Sequence, residues 1–265
     1  MKAILLTLVA ALASPTFLAA QSSTDEPSQS MVASDVYVWN AFKPGEKKNR
    51  DKKKILQGKT KFLETLEIHT STLDPNAAAG PAHTHDDLEE LVIVKEGKLR
   101  VTQNDKSQVL GPGSIALTLP GDEHRLENGG DTPVTYYLMT YRSSATPNTD
   151  RGKKSGGSLM IDRETISYNR HGKGGIRRYF DRPTTMFERM EMHVTTLNEG
   201  LKSHDPHTHN ADEIVLIISG KTEMQIDRDH IGATAGSLVF LNSMVPHALS
   251  NTGSGPCEYF AFQWE

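Results

Sequence analysis

The chain has 265 residues, a formal charge of −4 and a single cysteine, Cys257. One cysteine excludes an intramolecular disulfide, and the absence of a sustained basic face argues against nucleic acid as a partner. The remaining classes are a globular enzyme or a binding protein of one large or two small domains.

In chain order, the first element is MKAILLTLVAALASPTFLAA, residues 1–20, with Lys2, an apolar run and small residues at Ala19 and Ala20. This is the pattern of a secretory signal peptide and is short for a membrane span. A periplasmic or secreted protein with no stable membrane anchor is therefore expected. Residues 21–35, which open QSSTDEPSQS, read as a disordered lead-in. The basic run KKNRDKKK, 47–54, reads as a solvated loop.

Beyond this point the chain repeats itself. FLETLEIHTSTL (62–73) returns as MFERMEMHVTTL (186–197), and His-Thr-His at 83–85 returns at 207–209, a shift of 124 in both cases. From Glu90 and Glu213 onward the shift is 123, carried by Gly97 and Gly220, His124 and His247, and Asn128 and Asn251. Two copies of one domain, 36–150 and 159–265, are thus expected, joined by the polar, glycine-rich linker 151–158. Within each copy, LVIVKEGKLRVTQ and IVLIISGKTEMQI are short, partly alternating apolar runs broken by glycine. Many short strands at this spacing predict an all-β sandwich or small barrel.

The chemistry sits where the copies agree. Residues two apart in an extended strand share a face, so His83 and His85 aim one way, as do His207 and His209. Neutral imidazole ligates zinc, iron, copper and nickel, and a carboxylate widens the choice to manganese. Four residues separate His85 from Glu90, but only three separate His209 from Glu213. On a continuous strand that difference would flip the carboxylate to the other face, so a turn must intervene. The constant spacing to the following glycine selects Glu90 over Glu89 and Glu213 over Asp212; the rejected acids read as solvated. His124 and His247 complete each set, and each opens the alternation His-x-Leu-x-Asn. Two such quartets in register predict metal binding.

Other residues are weaker candidates. Glu67 with His69, and Glu191 with His193, recur as Glu-x-His and read as structural or supporting positions. His204 precedes the second His-x-His and is a candidate catalytic acid–base group at the barrel mouth; Glu223 is a second catalytic candidate if it faces inward. Trp39 and Trp264 read as packing residues, and Cys257 as a small apolar one.

These motifs resemble those of the cupins, specifically the two-domain bicupins. The first cupin motif, H-x-H, three or four residues, E, six residues, G, is matched by HTHDDLEELVIVKEG and HTHNADEIVLIISG. The second motif is matched by GSIALTLPGDEHRLEN, with a shortened turn, and by GSLVFLNSMVPHALSN, where Asn242 and Met244 replace a proline and a glycine. The resemblance implies two tandem double-stranded β-helix (jelly-roll) barrels, each holding one divalent ion through His83, His85, Glu90 and His124, or His207, His209, Glu213 and His247, with manganese or iron favoured and zinc or nickel as alternatives. Three imidazoles and one carboxylate leave positions open for a small oxygen-rich substrate such as a carboxylate, enediol or sugar derivative. The residue three positions before the first motif histidine, an arginine in oxalate decarboxylases, is here Gly80 or His204. A metalloenzyme is the leading expectation and a non-enzymatic metal- or ligand-binding protein the alternative. A homo-oligomer is compatible with either.

Overall fold

The computed structural model describes residues 30–41 and 50–265. The expected signal peptide, most of the lead-in and the first part of the basic run lie outside the described residues. Among the described residues no helix is long and apolar enough to cross a membrane.

The expected all-β architecture is present, with two tandem barrels, each a large sheet faced by a three-stranded one. In the first barrel the large sheet runs, edge to edge, Leu159–Ile161, Ile115–Thr118, Glu89–Glu96, Val134–Ser143, Leu63–Leu73 and Arg50–Gly58. Facing it are Lys106–Leu110, Leu99–Gln103 and His124–Asn128. The second barrel repeats this order with Asp35–Tyr37, Leu238–Leu241, Asp212–Ser219, Cys257–Trp264, Met190–Leu197, Gly174–Arg182 and Asn169–His171. Its small sheet comprises Asp229–Thr234, Lys221–Ile226 and His247–Asn251.

Each barrel borrows an edge strand from the segment that leads into the other. Asp35–Tyr37 pairs antiparallel with Leu238–Leu241, and Leu159–Ile161 pairs with Ile115–Thr118, in matching register. The Ser34 hydroxyl accepts from the Asn242 amide at 2.9 Å, and that of Ser158 from the Leu119 amide at 2.8 Å. Two expectations change accordingly. Asp35, the last residue of the predicted lead-in, begins a sheet-edge strand rather than ending a free segment, because an exposed strand edge is a liability and each copy covers the other's. The predicted linker contains a short helix, Thr149–Lys154, with Gly152 buried against Thr185. The basic run also changes character, since Arg50–Lys54 lies in a strand paired with Leu63–Leu73 and is not a loop.

Strand alternation explains the two kinds of core. In Glu89–Glu96, Val92 and Val94 point into the first barrel with Tyr136 and Leu138, while Leu91 and Ile93 point outward. Those outward residues share a cluster with Met190, Met192, Ile214, Phe260 and Trp264 of the second barrel. Both faces of each large sheet are therefore buried, one inside its barrel and one against its neighbour. Burying a single large apolar side chain contributes roughly 1.5–3 kcal/mol, so the contact between barrels is a core in its own right.

The motif glycines Gly97 and Gly220 adopt φ of +80° and +88°. A Cβ at these positions would lie 2.5 Å from the Pro133 carbonyl oxygen and 2.6 Å from Cys257 Cβ, respectively. Only glycine fits such a turn. Cys257 itself is fully buried, and burial pushes its thiol up to about 11.

Candidate metal centres

Each centre is assembled by a bridge between the two motifs. The His83 amide donates to the His124 carbonyl at 3.1 Å and the His124 amide returns the bond at 2.9 Å. His207 and His247 repeat this at 3.2 and 3.1 Å. The third histidine is held through its carbonyl, His85 by the Gly121 amide at 2.7 Å and His209 by the Met244 amide at 2.8 Å. Gly121 has φ +85° and Met244 φ +66°. The left-handed turn is therefore required in both copies, and the second achieves it with a strained, exposed methionine where the first has glycine.

The imidazoles converge. One ring nitrogen from each of His83, His85 and His124 lies within 4.8 Å of the others, and the same holds for His207, His209 and His247. Nδ1 of His83, His124, His209 and His247 faces the carbonyl of Pro81, Asp122, Ala211 and Val245 at 3.1, 3.3, 3.1 and 2.8 Å. A carbonyl only accepts, so Nδ1 carries the proton and the Nε2 lone pair is free to bind a cation. Nε2 of His124 and of His247 is buried without a hydrogen-bond partner. A neutral nitrogen left so is costly unless something else satisfies it, and a divalent cation fits that requirement.

A carboxylate adjoins each triad. Glu213 Oε2 lies 3.0 Å from both His209 Nε2 and His247 Nε2. Glu90 is looser, 3.3 Å from His124 Nε2 and 3.9 Å from His85 Nε2. Burial opposes the charge on Glu213, but the adjoining His209 and His247 outweigh it and hold its carboxyl below the usual range. Burial likewise disfavours charge on His124 and His247, yet the adjacent glutamate raises both net. His85 and His207 are lowered, chiefly by burial.

The second centre opens into a cavity of about 460 Å³ lined by its four candidate ligands. His204 is at the mouth, its ring 4.1 Å from that of His207. Three expectations need correction. Glu223 does not face inward: its neighbours Thr222 and Met224 are buried, and Met224 lines the cavity. Alternation turns Glu223 outward, where it pairs with His230 Nδ1 at 2.8 Å. Glu89 and Asp212, expected as solvated acids, are fully buried between the barrels. Glu89 accepts from the Thr185 amide at 2.7 Å, the Met186 amide at 3.2 Å and the Tyr141 hydroxyl at 2.8 Å, while Asp212 accepts from the Ser243 amide at 2.9 Å. A carboxylate that ends up opposite orphan backbone amides has no need of water.

Glu191 and His193, read from the sequence as structural or supporting positions, line the same cavity as the candidate ligands, together with Lys173 and Tyr259. The signal was there in the repeated Glu-x-His and its alternation with buried Met190 and Met192.

The cupin domain family matches residues 69–141 and 193–262, more than half of the chain. The protein belongs to the cupin family, as a two-domain bicupin. No curated protein sequence matches the chain. Among solved structures it is similar to AerE from Microcystis aeruginosa, with 16% identity and a TM-score of 0.67 over 88% of this chain and 100% of that one. A putative glyoxylate-induced protein from Pseudomonas aeruginosa gives 16% identity and a TM-score of 0.70 over 87% of each chain. The oxalate decarboxylase of Lactobacillus farciminis, solved with formate, gives 11% and 0.67 over 88% of this chain and 87% of that one. Likeness at such identity establishes the shared fold, not a shared reaction.

Proposed function

We propose that this bicupin is an exported metalloenzyme whose second barrel acts on a small, oxygen-rich substrate. The observation that carries this reading is the meeting, in one cavity, of three imidazoles and Glu213, with Nε2 of His247 buried and facing only the Glu213 carboxylate at 3.0 Å. His207, His209, Glu213 and His247 would hold the ion there, and His83, His85, Glu90 and His124 a second one in the first barrel. Manganese or iron suits this mixed nitrogen and oxygen donor set best. When bound, the ion supplies Lewis acidity to substrate oxygens. The chain's own residues do the rest: Lys173 at the mouth draws in an anionic group, His204 and the cavity wall orient it, and Met224, Val215 and Leu249 restrict water around it.

Export rests on the character of residues 1–20. Secretion of the mature chain, with its new N-terminus near residue 21, is the corresponding check. For the function, the mature protein is purified, its metal content measured by elemental analysis, and turnover of a panel of small hydroxy acids, oxo acids and hydroxy-ketones recorded. Two equivalents of manganese or iron with turnover sustain the reading. Two equivalents of tightly held zinc without turnover would favour a binding protein instead.

A further inference from the structure

The repeated Glu-x-His pair has no part in the metal centres, yet in the second barrel it faces one. Glu191, Gln263 and Glu213 stand in one register row across three adjacent strands, and His193, Ala261 and Val215 in the next. Strands lie about 4.8 Å apart, so Glu191 and the metal-side Glu213 are separated by roughly 10 Å of backbone across one concave sheet. Their side chains reach into the same cavity, leaving space between for a molecule of a few heavy atoms.

His193 is aimed. Its Nδ1 lies 2.9 Å from Glu191 Oε1. Glu191 Oε2 in turn accepts from Arg189 Nη2 at 2.7 Å and from Gln263 Nε2 at 3.3 Å. With both oxygens occupied, the carboxylate is fixed and accepts a hydrogen bond from Nδ1–H, so Nε2 of His193, with its lone pair, is the nitrogen left to meet a substrate. A carboxylate orienting an imidazole in this way is the arrangement of a general base.

We propose that His193 is the acid–base residue of the second barrel, positioned by Glu191, and that the substrate is a 2-hydroxycarbonyl compound undergoing proton transfer. This deepens the metalloenzyme reading and rests on it. A 2-hydroxycarbonyl offers two oxygens to the metal side and an acidic C–H bond between them to the His193 side. His193 Nε2 takes that proton; the C–H electron pair becomes a carbon–carbon π bond as the carbonyl π pair moves onto oxygen. Return of the proton from the imidazolium to the same carbon restores the starting compound; return to the former carbonyl carbon, with the hydroxyl proton passing to the neighbouring oxygen, gives the isomeric hydroxycarbonyl, so no oxidant, reductant or co-reactant is consumed.

The test uses metal-loaded full-length protein in D₂O with dihydroxyacetone, glycolaldehyde and hydroxypyruvate as probes, following C–H to C–D exchange by proton NMR. Wild type should exchange at least one probe, and His193→Gln and His193→Asn should each lower the rate about 100-fold or more with metal content unchanged. In nitrogen-15 spectra of the metal-free protein, His193 should be the Nδ1-protonated tautomer, and Glu191→Gln should shift that population and lower exchange about tenfold. A merely structural role for Glu191 would leave the tautomer unmoved. Exchange at the wild-type rate in both His193 variants, or no exchange of any probe by metal-replete wild type, would overturn the inference. Absence of bound metal in wild type would instead defeat the reading on which it rests.

Discussion

In the second barrel Glu213 touches two imidazole nitrogens at 3.0 Å, and across the cavity Glu191 is held by Arg189 and Gln263 while His193 keeps 23% of its side chain exposed. The first barrel has the same letters in a different state. Glu90 stands 3.3 and 3.9 Å from its histidines, Thr140 occupies the row position of Gln263, Lys52 replaces arginine on Glu67, and His69 is only 4% exposed with neither ring nitrogen hydrogen-bonded. Gathering ligands is the work of the two motifs and their bridges, which the copies share. Access to the ion is set by strands outside the motifs, and there the copies have diverged.

The largest effect expected from this comparison is on metal binding. Replacing His83 and His85 together by alanine should remove about one equivalent and leave the second site filled; replacing His207 and His209 should do the converse. Losing two imidazoles weakens such a site by orders of magnitude, so elemental analysis decides it. Unchanged metal in both double variants would break the assignment of the centres.

Next in size is the asymmetry of activity. Glu213→Ala should reduce turnover at least 100-fold, whereas Glu90→Ala should act mainly on stability. Equal losses in kcat with intact folding would indicate two working barrels.

The interface acids sharpen the comparison in another way. Glu89→Ala leaves the buried Thr185 amide without an acceptor, the Met186 amide with only Thr184 Oγ1 and the Tyr141 hydroxyl with only Met190 Sδ, and should cost on the order of 3 kcal/mol in urea unfolding; Asp212→Ala, with fewer acceptor bonds given up, should cost about half as much. The reverse order would mean that the two halves of the interface do not carry load as their bonds suggest.

A smaller effect concerns pH. Hydrogen bonding to His193, together with Arg189 and Gln263, outweighs burial and lowers the Glu191 carboxyl to about 2. A depressed carboxyl contributes stability that is present above its ordinary value near 4.5 and lost as pH falls through about 2. Thermal melts should therefore show Glu191→Gln less stable than wild type at pH 6, by no more than about 2 kcal/mol, with the gap closing toward pH 2. A gap independent of pH would assign the loss to packing.

The smallest change expected is a gain. Met244 stands where the first barrel has Gly121, at φ +66°. Met244→Gly should stabilise by about 1 kcal/mol, raising Tm by a few degrees, through relief of the left-handed backbone. A lowered Tm would show that the exposed methionine side chain makes contacts that offset the strain.

The repeat, the all-β class, the cupin motifs and the eight candidate ligands were legible in the residues themselves. Each depends on local order: alternation fixes which side chains share a face, glycine fixes a turn, and two copies in register remove chance. Even the change of spacing before Glu90 and Glu213 told which acid faces inward. What local order does not contain is the surface a face meets. The spacing sets Glu89 and Asp212 apart from Glu90 and Glu213, but only the packing of one large sheet on the other makes them buried acceptors instead of solvated acids. Glu223 could point in or out until the strand Lys221–Ile226 took its register with Met224 inward. The exchange of Asp35–Tyr37 and Leu159–Ile161 between barrels is a pairing over about 200 and about 40 residues of chain, with no turn to announce it. Glu191 and His193 were visible as a repeated pair, yet their place opposite Glu213 arises only because Cys257–Trp264 inserts between their two strands, a long-range pairing that neighbouring residues cannot specify.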